Sequence, residues 1–525
     1  MQRRDFIRGA VAGATALAMP HIAIAQPNKT LRFKPNNDLS AIDPAFSAAF
    51  VTRYHAHLVF DTLYGQDNNL NPHPQMVEGH VVENDGLLWR MKLRPGLKFH
   101  DGEPVRAQDA VASIKRWARV DTFGQALMAA TDELSAQSDK EIVFRLKRPF
   151  PLLPNALAKS STYVPVIMPE RLAQSDHTKP ITEAIGSGPY RYIAKDRVIG
   201  QLVVYEKFAD YVPRPEGRSE YTSGAKVAYL DRIEWRIIPD QATAAGALRA
   251  GEIDWFENPI GDLIPMLRKD PNIQLDLIFK LGDMGVLTFN HLHAPMNNPA
   301  VRRVLAKAVS QTEMMDAIGA DASTTDVGFF TPESPMASKT GVPIGAPTPD
   351  YANLKRELAA AGYNGEKIVL ITVGQSTNIN TQAVVLEDIL KRLGMNVELV
   401  ALDFANWLRR RQSRELPENG GWSMLTTFIP GQDLWDPAGH LMLRGSKQHA
   451  YAGWPDIPKL EELRNAWFSA TNDEMRRDIC HQMQLVAVQE VPYIPSGRWL
   501  NPTAYRKGLT GVARHTPLFY NLKKA

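Results

Sequence analysis

Residues 85–117 read DGLLWRMKLRPGLKFHDGEPVRAQDAVASIKRW. In this stretch Trp89, Met91 and Leu93 alternate with Arg90 and Lys92, the period of a half-buried strand. Pro95-Gly96 supplies a turn, because proline presets φ and glycine tolerates the positive φ of a type II corner. Leu97 and Phe99 resume the alternation and predict a second strand, and Asp101-Gly102 is a second turn signal. After Pro104 the period changes. Ala107, Val111, Ile114 and Ala118 lie at helical spacing, with Asp109 in the first turn, where the helix dipole favours an anion. The stretch predicts strand, turn, strand, turn, helix, and holds no catalytic constellation.

At 525 residues the chain exceeds a single core, and two or three lobes are expected. Apolar residues make up 44% and charged residues 22%, as in an ordinary globular protein. The net charge of +3 falls to +1 without residues 1–25, which carry Arg3, Arg4, Arg8 and Asp5. That balance gives no reason to propose nucleic acid or an anionic membrane as partner. Cys480 is the only cysteine, so an intramolecular disulfide and a cysteine-based zinc site are excluded. It sits in an apolar helical run, as a buried inert thiol does.

Residues 1–25 have the pattern of an export signal: Arg3-Arg4-Asp5-Phe6-Ile7 is a twin-arginine motif, an alanine-rich apolar run follows, and Ala23-Ile24-Ala25 fits a cleavage site. The apolar run is interrupted by Gly9, Gly13 and Pro20 and is too short for the ~20 residues that span a bilayer. No cysteine follows it for lipid attachment. The expectation is a soluble periplasmic protein.

Leu93-Arg94-Pro95-Gly96, Phe99-His100-Asp101-Gly102 and Asp109-Ala110-Val111-Ala112-Ser113 strongly resemble the peptide/nickel family of extracytoplasmic solute-binding proteins, which serve ABC importers. The resemblance continues through Asp61-Thr62-Leu63-Tyr64, Gly186-Ser187-Gly188-Pro189-Tyr190, Gly251-Glu252-Ile253-Asp254, Leu287-Thr288-Phe289-Asn290 and Glu490-Val491-Pro492-Tyr493-Ile494-Pro495. It implies an α/β protein with the two-lobed periplasmic binding protein fold (type II, cluster C) and an extra small domain inserted in the first lobe. The implied division is 26–59, 188–281 and 489–525 for the first lobe, 60–187 for the small domain and 282–488 for the second lobe. Downstream, Asn298-Pro299 starts a helix, Gly251 suits an αL cap, and Lys367–Val373, Thr381–Leu393 and Met395–Leu402 read as a β-α-β unit with a parallel pair. A late helix starts from Thr471 with Glu474 as its capping box and has Met475, Ile479, Met483 and Val486 as its apolar stripe.

A binding protein needs only a closing cleft with a few aimed polar groups. The candidate wall is Trp422 to Asp436, WSMLTTFIPGQDLWD. In peptide receptors of this family the matching region has a Trp followed three residues later by an Asp that pairs with the peptide ammonium, because a buried cation demands a charged partner. Here Phe428 and Ile429 lie where the Trp falls, and Gln432 or Asp433 where the Asp falls. Trp435 and Asp436 are the alternative aromatic and carboxylate; a surface turn explains Asp436 as well. Phe46, Ser47 and Phe50, in the loop after the first strand, are further candidate ligand contacts, as are Trp407 and Trp499 by their family positions. Inward packing explains the aromatics equally.

The ligand expected is a di- or oligopeptide, with an opine or other amino-acid conjugate, an oligosaccharide or a chelated metal as rivals. The partner is an ABC permease in the inner membrane, the oligomeric state a monomer, and no cofactor is implied. A periplasmic enzyme or a chaperone-like protein is the alternative from a different class. No Gly-x-Ser-x-Gly elbow and no P-loop occur, and neither His55-x-His57 nor His291-x-His293 has the helical spacing of a zinc site.

Overall fold

The computed structural model describes residues 29–320, 322–342, 344–374, 376–447 and 450–525. The expected export signal lies outside the described residues. Three sheets organise the chain. Seven strands form the first, in the order Tyr190–Tyr192, Leu202–Lys207, Arg232–Arg236, Thr30–Lys34, Trp255–Phe256, Thr503–Arg506, Ile273–Asp276. The second has six, in the order Ala322–Thr324, Tyr493–Leu500, Asp283–Phe289, Met424–Pro430, Lys367–Val373, Asn396–Leu402. A third, four-stranded sheet runs Val77–Glu83, Leu88–Leu93, Glu141–Leu146, Thr131–Ala136. The chain passes from the first sheet to the second between Asp276 and Asp283 and returns between Leu500 and Thr503.

The stretch quoted first lies against the third sheet. Leu88–Leu93 buries Trp89, Met91 and Leu93. The expected second strand does not form. Leu97 and Phe99 are buried, but their backbone closes a turn, with Phe99 N–H donating to Glu103 O at 2.8 Å and Val105 N–H to Leu97 O at 3.0 Å. The helix Ala107–Trp117 follows; Asp109 accepts the Arg106 N–H at 2.8 Å and, from another segment, the Glu170 N–H at 2.8 Å. Its carboxylate therefore serves as a cap as well as facing the dipole.

Farther along, the Asn298 side chain caps Pro299–Ala308 and Gly251 takes φ 78° at the end of Gln241–Ala250. Lys367–Val373 and Asn396–Leu402 pair in parallel through the helix Thr377–Arg392, which starts earlier than the sequence pattern indicated. Two expectations shift. The late helix runs Asp473–Glu490 with Asn472 as its cap, and its buried face is Arg476, Cys480, Met483, Gln484 and Ala487, leaving Met475 46% exposed. That face packs against the helix Pro458–Ser469. Tyr493–Leu500, expected in the last piece of the first lobe, pairs with Asp283–Phe289 in the second sheet. Burial pushes the Cys480 thiol pKa up, as suits an inert group.

The first core centres on Phe33, whose ring meets Trp235, Trp255 and Phe519 edge-on. Two buried ion pairs tie distant segments to it. Arg116 meets Asp43 at 2.7 Å, and Lys226 meets Asp61 at 2.7 Å. A separate core joins the third sheet to the second lobe, where Phe123 and Phe150 pack on Phe468.

The histidine pairs are absorbed by hydrogen bonds. His55 Nδ1 lies 3.0 Å from the Tyr205 hydroxyl, His57 Nε2 3.5 Å from Ser160 O, His291 Nε2 3.0 Å from Pro492 O and His293 Nε2 2.8 Å from Arg414 O. Among the described residues no group of three or more His, Cys, Asp or Glu side chains is placed to hold a metal ion, and no helix is long and apolar enough to cross a membrane. Burial lowers the pKa of His55, His57 and His291 to about 3 and of His100 and His440 to about 4. A ring titrating near 6.5 in the unfolded chain and near 3 or 4 in the fold adds stability that is complete above pH 6.5 and is lost as the pH falls toward the folded value. The unfolding free energy measured in urea is therefore expected to drop steadily from about pH 6.5 to 4, by up to about 1.4 kcal/mol per pH unit for each such ring, and the urea midpoint with it. A midpoint flat over that range would mean that these rings take up protons without unfolding.

Candidate ligand-binding cleft

Two adjoining cavities lie between the lobes. The larger, about 800 Å³, is walled by Gln66, Asn68 to Pro72 and Lys159 to Ser161 on one side and by Glu333, Gln432, Trp435 and Asp436 on the other, with Leu281 and His515 nearby. Its volume falls within the range of small-ligand pockets, roughly 300–1,000 Å³. The smaller, about 250 Å³, is lined by Phe50, Arg53, Lys159, Arg411, Asp433 and Tyr451 among others. Lys159, Ser161 and Gly439 belong to both walls.

The segment that divides them follows the strand Met424–Pro430 as a single helical turn, Gly431–Leu434. Gly431 lies so close to Leu281 that a Cβ would fall 2.3 Å from the Leu281 carbonyl oxygen, which presses the turn onto the crossing between lobes. From this turn two side chains reach distant segments of the chain, around Arg53, Ser160 to Thr162 and Tyr221. Asp433 Oδ2 meets Arg53 Nη2 at 3.2 Å and accepts from the Thr162 hydroxyl at 3.0 Å. Gln432 Nε2 donates to Ser160 Oγ at 2.6 Å and to the Tyr221 hydroxyl at 3.2 Å, and Ser160 bonds onward to Gln66. These bonds hold the lobes together across the cleft.

Asp436 stands apart from that network. Its Oδ1 accepts the Ala438 N–H at 2.9 Å and the Gly439 N–H at 3.3 Å, while Oδ2 has no hydrogen-bond partner among the described residues. Desolvation raises its pKa, partly offset by those two N–H groups and by Lys159. Trp435 beside it is half-buried against the cluster of Leu70, Tyr221 and Leu281. At the crossing, Asp283 accepts from Asn501 at 3.0 Å, and its pKa is pushed up to about 7, by desolvation foremost and by Glu257 and Asp433 in addition. Lys159 is committed to Asp121 at 2.6 Å and to the Thr162 carbonyl.

The candidates drawn from the sequence therefore separate. Gln432, Trp435 and Asp436 line the larger cavity, and Phe50 and Asp433 the smaller. Trp407 and Trp499 are packed in cores, 2% and 1% exposed, and Phe428 meets the Trp499 ring edge-on at 5.7 Å; none of the three lines either cavity. Phe46 is 49% exposed, and Ser47 accepts the Ala49 N–H at 3.2 Å in the loop before the first helix. The sequence reading missed Arg53, Lys159, Ser160, Thr162, Tyr221 and Arg411, which come from segments far apart in the chain.

The family model described as bacterial extracellular solute-binding proteins, family 5 Middle, matches residues 71–450. The chain is 33% identical over 539 aligned residues, covering all of both proteins, to one from Sinorhizobium fredii named probable peptide ABC transporter periplasmic-binding protein y4tO. It is 27% identical over 405 residues, 74% of this chain and 73% of the other, to the glutathione-binding protein GsiB of Pectobacterium atrosepticum. In fold it resembles the ABC transporter-associated periplasmic binding protein DppA of Helicobacter pylori, solved in complex with the peptide STSA, with a TM-score of 0.78 at 21% identity over 94% of this chain and 98% of that one. With two lobes closing on a polar cleft and a match across most of its length, the chain belongs to the bacterial extracellular solute-binding proteins of family 5.

Proposed function

We propose that the protein is the periplasmic substrate-binding component of an ABC importer and captures a di- or oligopeptide between its lobes for delivery to the permease. The observation that carries this is the pair of cavities between lobes bridged by Gln432 and Asp433, a cleft whose closed state a ligand touching both walls would stabilise. The names of the relatives, a peptide receptor and a glutathione receptor, support a peptide or peptide-like cargo. Asp436 is the proposed partner of the ligand ammonium, because Asp433 is already engaged by Arg53 and Thr162 while one Asp436 oxygen is unpaired. Trp435 and Gln432 complete that wall. Twin-arginine export, a monomeric state and the insertion of 60–187 as a small domain belong to the same reading.

Native mass spectrometry of the chain from Gln26, purified without denaturation, tests it, followed by thermal shift with short peptides and glutathione. A retained peptide mass, or a melting temperature raised by peptides as RT ln(1 + [L]/Kd) requires, is the expected result. A retained sugar, or stabilisation by sugars and not by any peptide, would overturn the peptide assignment.

A further inference from the structure

Both crossings between the first and second sheets meet at one carboxylate. Asp283 opens the strand that follows the first crossing, and it accepts from the side chain of Asn501, on the return crossing, at 3.0 Å. The two segments pack without a spacer: a Cβ on Gly282 would fall 2.5 Å from the Trp499 carbonyl oxygen. Asp283 also faces a narrow gap between the lobes. On one side of the gap lie Pro430 to Gln432, which continue the second sheet, and on the other Phe50 and Arg53, from the helix Phe50–Val59 that packs on the first.

No cation pairs with Asp283 among the described residues. Those around it are committed elsewhere, Arg53 to Asp433 at 3.2 Å and Arg498, on the neighbouring strand, to Glu333. Two carboxylates, Glu257 and Asp433, lie close enough to oppose a further negative charge. Glu257 is itself satisfied by the Tyr54 hydroxyl and the Asn36 N–H, at 2.6 Å each, with Lys34 nearby. His515 reaches the same gap, its Nε2 2.9 Å from Asn68 O. Parting the walls of the gap admits water to Asp283, and closing them leaves it the hydrogen bond to Asn501. The carboxylate therefore favours the open cleft, and the neutral acid tolerates the closed one.

We propose that closure of the cleft takes up a proton at Asp283, so that mild acid strengthens ligand binding. This rests on reading the cleft as one that closes on its ligand. The Asp283 pKa of about 7 in the closed form accords with it. With water returned in the open form the group titrates nearer the ordinary carboxyl range. Affinity is then level above about pH 7 and rises as the pH falls below it, by up to about 10-fold per unit. Burial lowers the His515 pKa, which gives that ring the opposite sign. A neutral asparagine at position 283 separates the two.

Isothermal titration of trialanine and of glutathione, at about pH 8 and about pH 6, in two buffers of different ionisation enthalpy, tests the proposal. The wild type is expected to gain about 10-fold in affinity at the lower pH and to take up close to one proton there. Asp283→Asn keeps an acceptor for Asn501 and is neutral at every pH. It is expected to bind about 10-fold or more tighter than the wild type at pH 8, without the acid gain or the proton uptake. His515 and the ligand ammonium act alike in both proteins, so the variant is the reference. A variant that binds no tighter at pH 8, or a wild type whose gain does not exceed the variant's, overturns the inference and leaves the peptide reading standing. If Asp283→Asn does not fold, absence of proton uptake by the wild type at pH 6 overturns it. If neither peptide binds, the peptide reading fails, and small-angle scattering of the ligand-free chain decides. A radius of gyration that contracts from pH 8 to 6 in the wild type, and is contracted throughout in the variant, supports the proton-linked closure; one unchanged in both overturns it.

Discussion

Replacing Asp61 by alanine is expected to cost about 3–5 kcal/mol of folding free energy, because it strands a charge in the interior. Asp61 Oδ1 lies 2.7 Å from Lys226 Nζ with both side chains 1% exposed, and Oδ2 accepts from the Tyr211 hydroxyl at 3.0 Å. Among the described residues, removing the carboxylate leaves the ammonium with the face of Tyr520, 5.4 Å away, as its compensating group. The converse separates this cause from lost packing. Changing both partners to apolar residues, Asp61→Leu with Lys226→Met, is expected to recover most of the loss, since a matched apolar pair avoids the desolvation penalty that the ions carry. Urea unfolding followed by circular dichroism measures both against the wild type. A single substitution that costs less than about 1 kcal/mol would show that Lys226 finds another partner when the segment relaxes.

The second large effect is on binding. Asp436→Asn is expected to weaken peptide binding by about 2–5 kcal/mol, roughly 30-fold to a few thousand-fold, as truncating one partner of a desolvated charge pair does elsewhere. Asp433→Asn is expected to cost less affinity, because Asp433 is satisfied by Arg53 and Thr162 in the closed cleft. Its main effect is to loosen the link between lobes. Titration of both variants with one peptide and with the N-acetylated form discriminates further: the wild type should lose affinity on acetylation, and Asp436→Asn should not lose more. The reverse ranking of the two variants would place the ammonium on Asp433.

Local periodicity was a good guide wherever one face of an element meets one core. Leu88–Leu93 follows its alternation, and Asn298 and Gly251 mark helix ends through cap chemistry that depends on neighbours in sequence alone. It was a poor guide where tertiary contacts choose between registers. The late helix turns Cys480 and Ala487 inward in place of Met475, and Leu97 with Phe99 is buried without a ladder. The site shows the same division. The segment Gln432 to Asp436 was legible as a candidate wall through its resemblance to the family's matching region, and Gln432, Trp435 and Asp436 line the larger cavity. Arg53 and Thr162 were not, for each acquires its role from Asp433, hundreds of positions away in the chain. Trp407 and Trp499 show the opposite error. A large aromatic at a family cleft position fills a core as readily as it lines a pocket.

The placement of Thr503–Arg506 has a consequence for the order in which the molecule assembles. This strand lies inside the first sheet, between Trp255–Phe256 and Ile273–Asp276, and pairs Tyr505 with Trp255 across some 250 positions of chain. During synthesis those two strands emerge early and then present unpaired edges until nearly the whole polypeptide has followed. Within that interval the strands Asp283–Phe289 through Tyr493–Leu500 emerge as one contiguous block that supplies the whole second sheet. The second lobe is thus able to complete itself first, and the first lobe is sealed last, by contacts whose large sequence separation makes them slow to form. A chain that stops short of Thr503 would carry a finished second lobe beside an open, adhesive sheet.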